Sequence, residues 1–157
     1  CLAPEPNILD DVLQARIAIE CQAIRLACLR ASERDLQAIA AFLDTLVDSL
    51  DDPERGGGAD YAFHLSIVRA SGSGALMKIY EAISPLLMRS HVERRRDTFR
   101  EPAITSGLVD AHRQVFLALA ERNPDQAERR LREHFAIGDE LRRNNLISTY
   151  QTQGTKP

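Results

Sequence analysis

Four residues combine the chemistry and the spacing needed to hold a divalent cation. Asp60 and His64 stand four apart, which on a helix puts them on one face in adjacent turns, where a carboxylate and an imidazole can chelate one ion. His112 lies 11 residues before Asn123 and His134 lies 11 after it (123 − 112 and 134 − 123). With Asn123 as the turn of an antiparallel helical hairpin, these two imidazoles sit at similar heights and can face each other. Three histidines and a carboxylate drawn from three helices suit zinc first, and also nickel or manganese, with positions left open for water or a ligand. Each residue also has a plainer reading. Asp60 can be a favourable charge in the first turn of a helix, His64 a hydrogen-bonded side chain, and His112 and His134 half-exposed helix residues.

The other candidates carry less chemistry. His91 stands near Arg94, Arg95 and Arg96 with Glu93 and Asp97 interspersed, and such a mixed charge run reads as a solvated helix face. Nothing in the spacing of Arg89 separates cavity lining from surface. Arg16 can form a surface ion pair with Glu20, four residues on, or it can meet a ligand carboxylate at two points with its planar fork. Phe63 and Phe116 read as core.

These residues need helices to position them, and the sequence is helical almost throughout. Aromatic residues make up 5% of the chain and tryptophan is absent, while apolar residues recur at spacings of three and four, which favours helices over sheets. Helix one is expected over about Asp10 to Arg30, with Asp10 or Asp11 as its cap and Leu13, Ile17, Cys21, Ile24 and Cys28 as an apolar stripe that Leu29 widens. Ser32 opens helix two, with Asp35 completing an imitation capping box and Leu36, Ile39, Phe42, Leu43, Leu46 and Leu50 facing inward. Glu54 to Gly58 reads as a flexible loop, followed by a short third helix from Asp60 to Ala70 that stops at Ser71-Gly-Ser-Gly74. A fourth helix is expected from about Ala75 to Arg96, kinked or broken at Pro85. A polar connection around Arg100 to Gly107 leads to a fifth helix, Leu108 to Arg122. Asn123, Pro124 and Gln126 then mark the start of a sixth, which runs to about Asn144. The expected fold is all-α, an antiparallel bundle of six or seven helices.

Bulk properties narrow the function. At 157 residues, 44% hydrophobic and 27% charged, the chain fits one globular domain with a real core. No apolar run approaches the roughly 18–20 residues that cross a bilayer, and the N-terminus lacks a secretory pattern, so no membrane partner is expected. Cys1 to Pro6 reads as a linker belonging to a longer chain, which divides the sequence into a linker over 1–8, a helical domain over 9–145 and a flexible tail over 146–157. A net charge of −3, from 20 basic and 23 acidic residues, gives no electrostatic footprint for a nucleic-acid backbone, so this part does not itself grip DNA. Three cysteines, with Cys21 and Cys28 placed to pack inside a helix face, point to a reducing cytoplasm.

Assembled in order, the motifs resemble a known family. Asp60-Tyr-Ala-Phe-His64 followed by Ala70-Ser-Gly-Ser73 is similar to a D-x-x-F-H element followed by an A-S-G-N turn. Ala111-His112-Arg113 and Arg132-Glu-His134 resemble later E-H-R and R-x-H elements, and Arg16 to Glu20 resembles an R-x-x-L-E segment. The family is the FCD ligand-binding domain of the FadR branch of GntR-type regulators, and the resemblance covers roughly Leu9 to Arg143. It implies that Asp60, His64, His112 and His134 are metal ligands and that the metal, with Arg16, holds a small organic acid as effector. It also implies an N-terminal winged helix-turn-helix, not contained in this sequence, that binds operator DNA as a homodimer. Two positions depart from the pattern: Ser73 replaces the usual asparagine, and Ala111 rather than glutamate precedes His112. Two alternatives remain. Open positions on a metal can activate water in a small enzyme, although there is no H-E-x-x-H pattern and Glu133 points about 100° away from His134 around a helix. The metal can also be purely structural.

Overall fold

The computed structural model describes residues 8–153. Among them are seven helices and no strand: α1 (Ile8–Arg30), α2 (Glu33–Val47), α3 (Pro53–Ala70), α4 (Gly74–Ala82), α5 (Ser84–Thr98), α6 (Pro102–Ala120) and α7 (Pro124–Gln153). The expected linker falls on residues of which 1–7 lie outside the described part, as do the last four positions of the expected tail. No helix of the described residues is long and apolar enough to cross a membrane.

The helix starts follow their capping residues. Ser32 accepts from the Asp35 backbone while the Asp35 side chain takes the Ser32 N–H, a complete capping box. Asn123 accepts from the Gln126 N–H at 3.1 Å and opens α7. Ile83 ends α4, and α5 starts at Ser84 with Pro85 in its first turn, where a missing N–H costs nothing. The expected disruption at Pro85 is thus a clean division into two helices. Asp10 and Asp11 lie inside the first turn of α1 and not before it, because the helix begins at Ile8.

The longest departure from expectation is at the glycine run. Glu54 to Gly58 is not a loop but the first two turns of α3, capped by Asp52, whose carboxylate accepts from the Glu54 and Arg55 N–H groups, with Pro53 next to the cap. Glycine is disfavoured in helices for its entropy, but here its small size is what the packing uses. A Cβ on Gly57 would stand 2.6 Å from the Val92 Cα on α5, so only glycine lets the two helices approach this closely. The other shifts have similar origins. The stretch expected as a polar connection is helical from Pro102, a favoured first-turn residue. Helix α7 runs on to Gln153, beyond the expected end near Asn144. Leu29, placed in the stripe of helix one, is 70% exposed, since the inward face there is taken by Ala27 and Cys28.

Helix α3 occupies the middle of the bundle and packs against α1, α2 and α5, while α6 and α7 form a hairpin that closes over α1. The main core joins Leu13, Ile24, Ile39, Phe63, Val115 and Leu131 from five of these helices. Arg122 holds the hairpin turn to α1: it adopts a positive φ of 55° and its guanidinium donates to the Cys28 and Ala31 carbonyls at 3.1 and 2.8 Å. Cys21 and Cys28 are buried free thiols, as their helical spacing suggested.

The glycine packing gives a direct test. Gly57→Ala should destabilise the protein by about 1–3 kcal/mol through overpacking against α5. Gly58→Ala, whose Cβ would meet nothing within 4 Å, should be neutral or gain up to about 1 kcal/mol of helix propensity. Urea unfolding of the two variants checks this; equal, small effects would mean that the run does not pack as a helix.

Candidate metal centre

Asp60 and His64 project from successive turns of α3, His112 from the middle of α6 and His134 from α7, and one ligand atom from each lies within 4.8 Å of the other three. The His112 Nε2 is 3.0 Å from the Asp60 Oδ1, the His64 Nε2 is 3.3 Å from the same oxygen, and the Nε2 atoms of His64 and His134 are 3.2 Å apart. Two donors bound to one ion at about 2.0–2.1 Å, at right or tetrahedral angles, stand roughly 2.9–3.4 Å apart. The donor set therefore has both the chemistry and the spacing for a divalent cation. All four residues are buried, which sets them apart from exposed acidic clusters.

For two of the imidazoles the far side of the ring fixes its role. The Nδ1 of His112 lies 2.6 Å from the Leu108 carbonyl and that of His64 lies 2.6 Å from the Glu20 Oε2. An acceptor facing an acceptor at such distances would be repelled, so each Nδ1 carries hydrogen and each Nε2 turns inward. Burial holds His112 below its ordinary pKa and His134 well below it, the latter helped by His112 and His64, so both are neutral and able to ligate at neutral pH. Burial opposes ionisation of Asp60 too, but His112, His91 and Arg95 overcome it and keep the carboxyl well below the usual range. Against the pull of burial, Glu20 raises His64 above its ordinary value.

The structure reassigns His91. It is not on a solvated face: its ring is 1% exposed and its Nδ1 is 3.3 Å from the Asp60 Oδ1. Burial, with Arg16 adding to it, pushes its pKa down to about 3. Arg95 is buried as well and places its Nε and Nη2 3.2 Å from the Asp60 Oδ2. The signal was present in the sequence, since Leu87, His91 and Arg95 recur at intervals of four and form the inward stripe of α5. The surrounding charges concealed it. Arg89 is on the surface, paired with Glu93 at 3.2 Å. Phe63 is core and packs edge-on against the His64 and His112 rings, and Phe116 is half-buried against the same core.

Beside the four donors lies a cavity of about 280 Å³ whose lining includes Asp60, His91, His134, Arg16, Arg95 and Phe135. Arg16 does pair with Glu20, through its Nε at 2.8 Å, but the pair is buried and not on the surface. Its guanidinium sits 4.8 Å above the Phe135 ring, and its Nη2 has no hydrogen-bond partner. The His91 Nε2 and His134 Nδ1 are likewise buried and unpartnered. Three buried polar atoms without a partner thus belong to side chains of one lining. Glu133 is exposed and paired with Arg130, away from the donors.

Three imidazoles and a carboxylate thus converge inside the helical bundle, next to a cavity. The chain belongs to the FCD domain family, whose profile matches residues 11–136. It is 27% identical over 136 residues to the putative L-lactate dehydrogenase operon regulatory protein of Escherichia coli, covering 87% of this chain and 52% of that protein. It is 30% identical over 124 residues to the HTH-type transcriptional regulator LutR of Bacillus subtilis, covering 78% and 57% respectively. The chain thus spans about half the length of these relatives, both regulators by name. Among solved structures, a Streptococcus agalactiae GntR superposes with a TM-score of 0.67 at 22% identity, covering 87% of this chain and 60% of that one. The E. coli protein McbR/YncC superposes with a TM-score of 0.67 at 21% identity, covering 96% and 76%.

Because a cation at the His64 Nε2 displaces a proton whose affinity Glu20 has raised, zinc affinity should fall as pH falls below that raised value, by up to about tenfold per pH unit. Chelator competition between about pH 8 and pH 6 measures this, and a flat profile would contradict the assignment of the ligand atom.

Proposed function

We propose that this domain is the effector sensor of a GntR-type transcription regulator. It binds a divalent cation, zinc first and nickel or manganese as alternatives, through Asp60, His64, His112 and His134, and a small carboxylate metabolite in the adjoining cavity. The observation that carries this reading is the Arg16 guanidinium, buried beside the donors with its Nη2 unpartnered. A buried charged donor without a partner is costly, and an anion would complete it. When bound, the cation would supply a Lewis-acid centre with positions free for carboxylate oxygens. Arg16 orients the carboxylate, Phe135 excludes water behind the guanidinium, and the His91 Nε2 offers an acceptor within the same lining.

Operator binding falls to an N-terminal winged helix-turn-helix in a cytoplasmic homodimer, consistent with the regulators that this chain matches over about half their length. The net charge of −3 leaves this part without a DNA-binding surface of its own. A purely structural metal is disfavoured, because the cavity reaches Asp60 and His134 and does not close over them.

Purified protein should carry near-stoichiometric divalent metal, and His64→Ala or His134→Ala should abolish its uptake. With zinc loaded, small organic acids should raise the melting temperature, a ligand at a hundred times its Kd adding about 2.7 kcal/mol. In Arg16→Ala the acids should lose that effect while zinc stays bound. Stabilisation of the metal-free protein to the same extent would separate the anion from the metal and defeat the reading.

A further inference from the structure

Glu20 is buried at the back of the site and meets three donors from three helices. Its Oε1 accepts from the Arg16 Nε at 2.8 Å and from the Tyr80 hydroxyl at 2.9 Å, and its Oε2 lies 2.6 Å from the His64 Nδ1. The Glu20–His64 contact is an ion-pair approach not aligned as a hydrogen bond, but at 2.6 Å a carboxylate oxygen repels a lone pair on Nδ1, so it favours hydrogen there and leaves the Nε2 lone pair towards Asp60 and His134. The contact with Arg16 is equally selective: it occupies the Nε and leaves unpartnered the Nη2 of a side chain that lines the cavity. Tyr80 is itself immobilised, fully buried and stacked on Tyr61 with ring centroids 6.2 Å apart, and the Tyr61 hydroxyl meets the Ser84 Oγ at 2.5 Å.

We propose that Glu20 is a positioning residue that couples the two halves of the site, one carboxylate orienting both the metal-binding imidazole of His64 and the anion-binding guanidinium of Arg16, with Tyr80 locking it in place. Its Arg16 half rests on the carboxylate-sensing reading above; its His64 half does not. The coupling is reciprocal. Whatever steadies His64 steadies the carboxylate that holds Arg16, so cation and anion each raise the other's affinity by the same factor.

The test uses the full chain with zinc alone and then with acetate as a monocarboxylate probe. Glu20→Gln keeps the shape but removes the charge and exchanges one acceptor oxygen for a donor that cannot face the Arg16 or the His64 N–H. It should weaken zinc binding by about 10–100-fold in chelator competition, with a metal-free unfolding curve showing that the protein is folded. Glu93→Gln, at a half-exposed pair with Arg89, should bind zinc as the wild type does. The acetate-induced rise in melting temperature of the zinc-loaded protein should shrink in Glu20→Gln although Arg16 is still present. Folded Glu20→Gln that holds zinc within about twofold of wild type overturns the proposal, as does an acetate shift of wild-type size. Should that variant not fold, nitrogen NMR of the zinc-loaded wild type decides: hydrogen on the His64 Nδ1 and metal on its Nε2 support the proposal, and the reverse overturns it. Acetate without effect on the wild type would defeat the carboxylate reading while leaving the zinc comparison intact.

Discussion

A carboxylate carried into the middle of a helical bundle must meet positive or donating partners on every open side, and the packing around α3 follows from how Asp60 meets them. An unpaired ion in such a place costs several kcal/mol even after relaxation. Arg95 approaches one oxygen from α5, while His112 from α6 and His91 from α5 approach the other. Bringing α5 close enough for this requires a small residue on the facing turn of α3, which Gly57 provides by leaving room for the Val92 backbone. A feature that looks like slack in the chain is thus a condition for placing two cationic or donating groups at a buried acid.

The same constraint explains what was legible in the sequence. Helix starts at Ser32 and Asn123, and the interruption at Pro85, depend on a few adjacent residues and could be read locally. The spacing of Asp60 and His64 and the symmetry of His112 and His134 about Asn123 were also legible, because helix geometry converts sequence distance into height and direction. The glycine run was not, since local entropy argues for a loop and only the tertiary approach of α5 reverses that preference. His91 and Arg95 were hidden for a related reason. A run of arginines looks solvated unless the acid that compensates it is known, and Asp60 lies more than thirty positions earlier in the chain (91 − 60 = 31).

Arg16 shows how burial changes the meaning of a pairing read from spacing. Its four-residue spacing from Glu20 does produce an ion pair, but burial converts a pair of little energetic consequence at a surface into a fixed element of the interior. One edge of the fork is spent on Glu20 and another is left over. The planar guanidinium, stacked on Phe135, keeps those edges separate in a way that the single point charge of a lysine would not.

The bridge that Arg122 makes from the turn between α6 and α7 to the carbonyls of Cys28 and Ala31 bears on how strain travels. Two of the imidazoles belong to this hairpin and the Arg16 guanidinium belongs to α1, so the clasp ties them together at one corner of the bundle. Any displacement of the hairpin would therefore be felt first where α1 ends, at the carbonyls that Arg122 grips.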